Sequence, residues 1–182
     1  MADKLTLAAQ VVDFWRGAGA DLWYAKNLEF DARCRDGWLD LHMEVAARRR
    51  EDWQGDAIGA LALVLLTDQI PRNVFRGTAH MFATDPLARI YAGHALAAGY
   101  IGEVEPQLRV FFLLPFEHSE ALADQARSVA LHRLWAPHAQ SYADGHCDIV
   151  RRFGRFPHRN AALGRETTPE EAAFLAQGGF DG

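Results

Sequence analysis

The stretch Asp56-Ala57-Ile58-Gly59-Ala60-Leu61-Ala62-Leu63-Val64-Leu65-Leu66-Thr67-Asp68-Gln69-Ile70-Pro71-Arg72-Asn73 decides the fold. From Ala57 to Leu66 it is apolar on nearly every helical face, whereas a helix at the surface keeps one face polar. It is therefore expected to be the central buried helix. Asp56 suits the N-cap. Pro71, which lacks an amide hydrogen and crowds the preceding turn, is expected to stop the helix. The apolar run is only about half the ~20 residues needed to cross a bilayer, so no membrane role is expected.

Composition agrees with a helical protein. The 182 residues include 31 Ala and 20 Leu, against 9 Val, 5 Ile and 6 Thr. Ala loses no side-chain entropy in a helix, while β-branched residues favour pleated surfaces. The length fits one domain, residues 1–182, with a core large enough to need no staples. The two cysteines, Cys34 and Cys147, are too few for a disulfide framework and lack zinc-ligand spacing. With no charged and apolar leader at Met1–Leu5, they point to reduced thiols and a cytoplasmic location. A net charge of −5 disfavours unspecific binding to nucleic acid, which needs a basic surplus.

Outward from the central helix, Leu7, Val11, Phe14 and Trp15 recur at helical intervals, ended by Gly17-Ala18-Gly19. Phe30, Cys34, Trp38, Leu41 and Val45 form a second stripe that is expected to close in Arg48-Arg49-Arg50, where cations suit the helix dipole. Asp85-Pro86 predicts a helix with Asp85 as N-cap, running to Gly99. Leu108 to Leu114 reads as a short buried helix between Pro106 and Pro115 in preference to a strand. One helix is expected from about Pro115 to Trp135, another from about His138 to Phe153, and Thr168-x-x-Glu171 is a capping box. The expected architecture is all-α, eight or nine helices in antiparallel pairs.

Three segments depart from ordinary helix surface. The first is Asp68-Gln69-Ile70-Pro71-Arg72-Asn73. A carboxylate in the last turn of an apolar helix opposes the dipole, so Arg72 or Arg76 is expected to reach back to Asp68. The second, Pro115-Phe116-Glu117-His118-Ser119-Glu120, gathers two carboxylates and an imidazole in one turn. The third runs from His146 to Arg165, with five Arg against Asp148, and contains Phe153-Gly154-Arg155-Phe156-Pro157-His158-Arg159-Asn160. Its Pro-His-Arg-Asn echoes Pro71-Arg72-Asn73, an echo that two Asn helix caps would explain.

These segments, together with Val12-Asp13-Phe14-Trp15, Trp23, Lys26, Phe30-Asp31, Leu163-Gly164-Arg165, Thr168-Pro169-Glu170-Glu171 and Phe174-Leu175, resemble the bacterial domain-of-unknown-function family numbered 924, DUF924. Ile70, where Phe is usual, and Asn27, where Asp often follows the Lys, are small departures. The resemblance implies a compact tetratricopeptide-like α-α superhelix and supplies no reaction.

The residues themselves allow several functions. A buried ion-pair network joining helix ends accounts for the polar residues with no ligand at all. A pocket in which Asp68, Gln69, Arg72, Asn73, Glu120, Arg155, Arg159 and Asn160 hold a small phosphate- or carboxylate-bearing molecule accounts for the excess of guanidinium groups. Hydrolytic chemistry in that pocket would use His118 or His158 as general acid or base, with Glu117 orienting an imidazole. The alternative is a non-catalytic helical scaffold for a protein or peptide partner. No serine elbow, P-loop or dinucleotide fingerprint is present. No His pair has metal-site spacing and the Arg residues would repel a cation, so neither a metal nor a cofactor is expected.

Overall fold

In a computed structural model, residues 6–180 are described and contain ten α-helical segments and no strand. Met1–Leu5, read above as lacking a leader, lies outside the described residues. The helices are α1 (Leu7–Ala18), α2 (Ala20–Trp23), α3 (Leu28–Ala46), α4 (Ala57–Val64), α5 (Ile70–Val74), α6 (Asp85–Ala97), α7 (Leu114–Glu117), α8 (Leu122–Trp135), α9 (Gln140–Phe153) and α10 (Pro169–Ala176). Short 3₁₀ turns link several of them, including Ala79–Phe82, Pro106–Phe112 and Pro157–Arg159. Counting α4 and α5 as one run gives nine helices, packed against one another in a superhelical, all-α arrangement. No helix among the described residues is long and apolar enough to cross a membrane.

Capping follows from the local sequence. Thr6 accepts a hydrogen bond from the Ala9 amide, Asn27 from Phe30, Asp56 from Gly59, and Thr168 forms the capping box with Glu171. Each side chain satisfies an amide that the first helical turn leaves open. The α4 helix is buried all round except at Ile58, and α1 and α6 pack on it. At Gly59 a Cβ would sit 2.2 Å from the Trp53 carbonyl oxygen, so only glycine lets the two backbones approach this closely. On α8 the fully buried residues, Gln125, Ser128 and His132, are all polar, and Leu131 and Trp135 pack partly buried against the core beside them.

Pro71 does not stop the central helix. The chain widens into a π-turn over Leu65–Gln69, in which the Ile70 amide bonds to the Leu65 carbonyl, and then continues as α5 to Val74. This widening accommodates a ring that would otherwise strike the carbonyl of Thr67, four residues back. Carbonyls at and beside the turn are taken up elsewhere. Leu66 accepts from His42 Nδ1 at 2.7 Å, Thr67 from the Thr84 hydroxyl at 2.6 Å, and Asp68 from the Arg72 guanidinium.

Three further boundaries differ from the sequence reading. α3 ends before the arginines, and Arg48 takes a positive φ of 61°. Arg48 and Arg50 pair with Glu51 and Glu44 through side chains, which replaces the expected dipole contact. Asp85 is the first residue of α6, and its carboxylate pairs with Arg72. The helix expected from Pro115 to Trp135 is broken at His118–Ala121. Gln125 Nε2 holds the break by donating to the carbonyls of Glu117 and Ser119, both at 2.6 Å. Leu108–Leu114 is helical as expected, a 3₁₀ turn running to Phe112 before α7 begins. Both cysteines are buried and free, and burial pushes the Cys34 thiol up to about 12.

Candidate functional site

The π-turn, the break after α7 and the Pro157–Arg159 turn converge on one buried cluster. Asp68, on the π-turn, is fully buried, and its Oδ1 lies 2.8 Å from His118 Nδ1. Burial alone would push the Asp68 carboxyl up, but the positive field of Arg72 and the contact with His118 outweigh it and hold it well below the usual range. Burial, reinforced by Arg72, lowers the His118 imidazole. An ionised carboxylate only accepts, so Nδ1 carries the proton and Nε2 of neutral His118 is left as the basic nitrogen.

Arg72 reaches Asp68 Oδ1 at 3.3 Å and grips Asp85 with both terminal nitrogens, at 3.0 and 3.1 Å. Arg159 comes from the third segment to the same carboxylate, at a looser 3.7 Å. Its guanidinium lies between the rings of Phe82, at 4.6 Å, and Phe156, at 4.5 Å. It is buried and its Nε has no hydrogen-bond partner. Burial and the nearby Arg72 lower it to about 10, the sign of an incompletely neutralised cation.

Beside this lies a row of neutral groups. Burial, with the charge of Asp68 added, raises the Glu117 carboxyl to about 8. Its Oε2 is 3.2 Å from His132 Nε2, and its Oε1 is 3.4 Å from His146 Nδ1. His132 Nδ1 faces the Ser128 carbonyl at 3.0 Å and donates to it, which leaves the lone pair on Nε2; neither Nε2 nor Glu117 Oε2 has a hydrogen-bond partner. Burial lowers His146 to about 4 and His158 to about 3.

The remaining candidates belong to flanking contacts. Gln69 donates to Asp68 Oδ2 at 2.5 Å. Asn73 donates to the Gln69 carbonyl and accepts from Arg76, whose partner is Asp31 on α3, so Arg76 does not reach Asp68. Glu120 accepts from the Phe156 amide and from both terminal nitrogens of Arg165, tying the second segment to the third. Arg155 faces away from the cluster and grips Glu171 at 2.6 and 2.8 Å. Asn160 also donates to Glu171, at 3.2 Å. Neither Asn73 nor Asn160 is an N-cap: the first lies inside α5 and the second closes the Pro157–Arg159 turn. Glu117 does not orient His118; Asp68 does.

The sequence reading left four contributors out of the site. Asp85 reads as a helix start, Phe82 carries no local signal, and Phe156 falls inside the third segment without a role of its own. His132 carried no local signal, because its role comes from its distance to Glu117.

The bacterial protein family of unknown function DUF924 matches residues 11–179. The chain belongs to this family. Its structure is similar to that of the protein of unknown function ATU0120 from Agrobacterium tumefaciens, with a TM-score of 0.91 and 50% identity over 94% of this chain and 97% of that one. No curated protein matches. DUF924 membership thus comes with a fold and no reaction, and the chemistry rests on the buried Arg/His/Glu cluster.

Proposed function

We propose that this cytoplasmic, tetratricopeptide-like single domain binds a small phosphate- or carboxylate-bearing molecule at Arg72 and Arg159, and that His118 performs acid–base hydrolysis on it. The observation that carries the reading is Arg159, a buried guanidinium with an unpartnered Nε, whose nearest carboxylate is already gripped by Arg72. A ligand anion would supply the acceptor that Asp85 does not. Gln69, Asn73, Glu120, Arg155 and Asn160 support the surrounding backbone in this reading, and neither nucleic acid nor a metal takes part.

The Asp68–His118 pair supports the hydrolytic step. Water loses a proton to His118 Nε2 as its oxygen bonds to the carbonyl carbon or phosphorus. Asp68 stabilises the imidazolium, and the two guanidinium groups stabilise the charge gathering on the ligand oxygens. The bond to the leaving group then breaks, and that group takes the proton from His118.

Thermal-shift titration with inorganic phosphate and a panel of phosphate and carboxylate metabolites tests the binding. At least one compound should raise the melting temperature, and Arg159→Met, which keeps the apolar stack, should abolish the increment. Silence across the panel leaves the scaffold reading. Any turnover found on phosphate or carboxylate esters should vanish in His118→Ala.

A further inference from the structure

After α10 the chain turns through a complete Schellman arrangement. Gly178, at φ +78°, donates to the Leu175 carbonyl at 3.2 Å, and the Gly179 amide to the Phe174 carbonyl at 3.0 Å. This turn delivers Phe180 to two imidazoles. Its ring meets His146 at 4.5 Å and 62°, and His158 at 5.0 Å and 80°, both edge-on. Behind them Phe156 braces the same two rings, at 5.4 Å from His146 and 5.7 Å from His158. The result is an aromatic slot with a fixed rear wall and a front filled by one side chain.

Two features mark Phe180 as a removable occupant. It is 38% exposed, unlike the core aromatics, and it borders a cavity of about 120 Å³ lined also by Ser141, Tyr142, Gly145, His146 and Ile149. A phenyl ring also offers no hydrogen bond, yet Nδ1 of His158, the imidazole it faces, is buried without a partner. Buried polar nitrogens are rarely left so, and a ring bearing a hydroxyl would supply what phenylalanine lacks.

We propose that the slot between His146 and His158 is a subsite for a small phenol-like ring, filled in this structure by the chain's own Phe180. Offset and edge-on contacts from neutral imidazoles hold the ring, and His158 Nδ1 hydrogen-bonds its hydroxyl. The two sites share the Phe156 ring, which also stacks on Arg159, but Phe180→Ala leaves Arg72, Arg159 and His118 in place, so a failure of one site is distinguishable from a failure of the other.

Calorimetric titration with phenol and with toluene tests it. Phenol is expected to bind Phe180→Ala about tenfold more tightly than the unsubstituted chain, and about tenfold more tightly than toluene binds the same variant. Phe180→Leu, which keeps the slot filled, should behave as the unsubstituted chain. Adding His158→Phe to Phe180→Ala should erase the preference for phenol over toluene. Equal binding of phenol to the open and filled chains, toluene binding as well as phenol, or a preference that survives His158→Phe overturns the proposal.

Discussion

Asp68 Oδ1 and His118 Nδ1, fifty positions apart in sequence, lie 2.8 Å apart with the carboxylate fully buried. The contact fixes the tautomer of the imidazole and joins the central helix to the break after α7. Asp68→Asn would leave Arg72 facing a neutral amide, with Asp85 its remaining carboxylate. Loss of about 3 kcal/mol is expected on urea unfolding, as for a broken buried ion pair, and the His118 titration followed by NMR should fall further than in Asp68→Glu, because the carboxylate that raises it is gone.

Stability should fall on the alkaline side because of Glu117. Its folded value of about 8 exceeds the ordinary 4.5, so between those values the folded chain holds a proton that the unfolded chain has released. Stability contributed by the retained proton is full below about 4.5 and is lost as pH rises through 8, by on the order of a few kcal/mol. Glu117→Gln, which keeps the shape and carries no titrating proton, should flatten this slope in denaturation curves measured from pH 6 to 9.

Acid acts through different groups. His146 and His158 stay neutral when folded down to about 4 and about 3, while their unfolded counterparts take up protons below 6.5. Their contribution is present above 6.5 and lost as pH falls below it, outweighing the opposite slope of the single Glu117. Unfolding free energies measured across pH should therefore peak near 6.5, and His146→Phe should reduce the acid-side slope.

Thr84 answers for Pro71. Its hydroxyl supplies the hydrogen bond at the Thr67 carbonyl that the imino acid cannot give. Thr84→Val keeps the shape and removes the donor, so a cost of about 1–3 kcal/mol is expected, with Thr84→Ser recovering most of it in the same unfolding assay.

Gly59→Ala tests the close approach of α4 to the Trp53 backbone. The added methyl group would meet the Trp53 carbonyl oxygen, a backbone atom that cannot swing aside. A loss of about 1–3 kcal/mol is expected from chemical denaturation, although alanine is the better helix former.

An unbroken apolar run, a capping motif and flanking prolines made the central helix, the Thr168 box and the helical reading of Leu108–Leu114 legible, because each depends on residues close together in the chain. The continuation past Pro71 was not legible: the π-turn depends on His42 and Thr84, donors from other segments. The three polar segments stood out in sequence, and Asp68, His118, Arg72 and Arg159 do converge. Which carboxylate faces which imidazole was hidden, since Glu117 and His118 are adjacent in sequence and point to different partners. Arg155 and Arg159 show the same limit, four residues apart and committed to opposite sides of the Pro157 turn.

The buried polar row of α8, Gln125, Ser128 and His132, has a mechanical consequence. Greasy surfaces can slide past one another at little cost, whereas a slip of one turn here would strand every one of these groups. The helix is therefore indexed like a key in its lock, and the loop carrying His118 inherits that alignment.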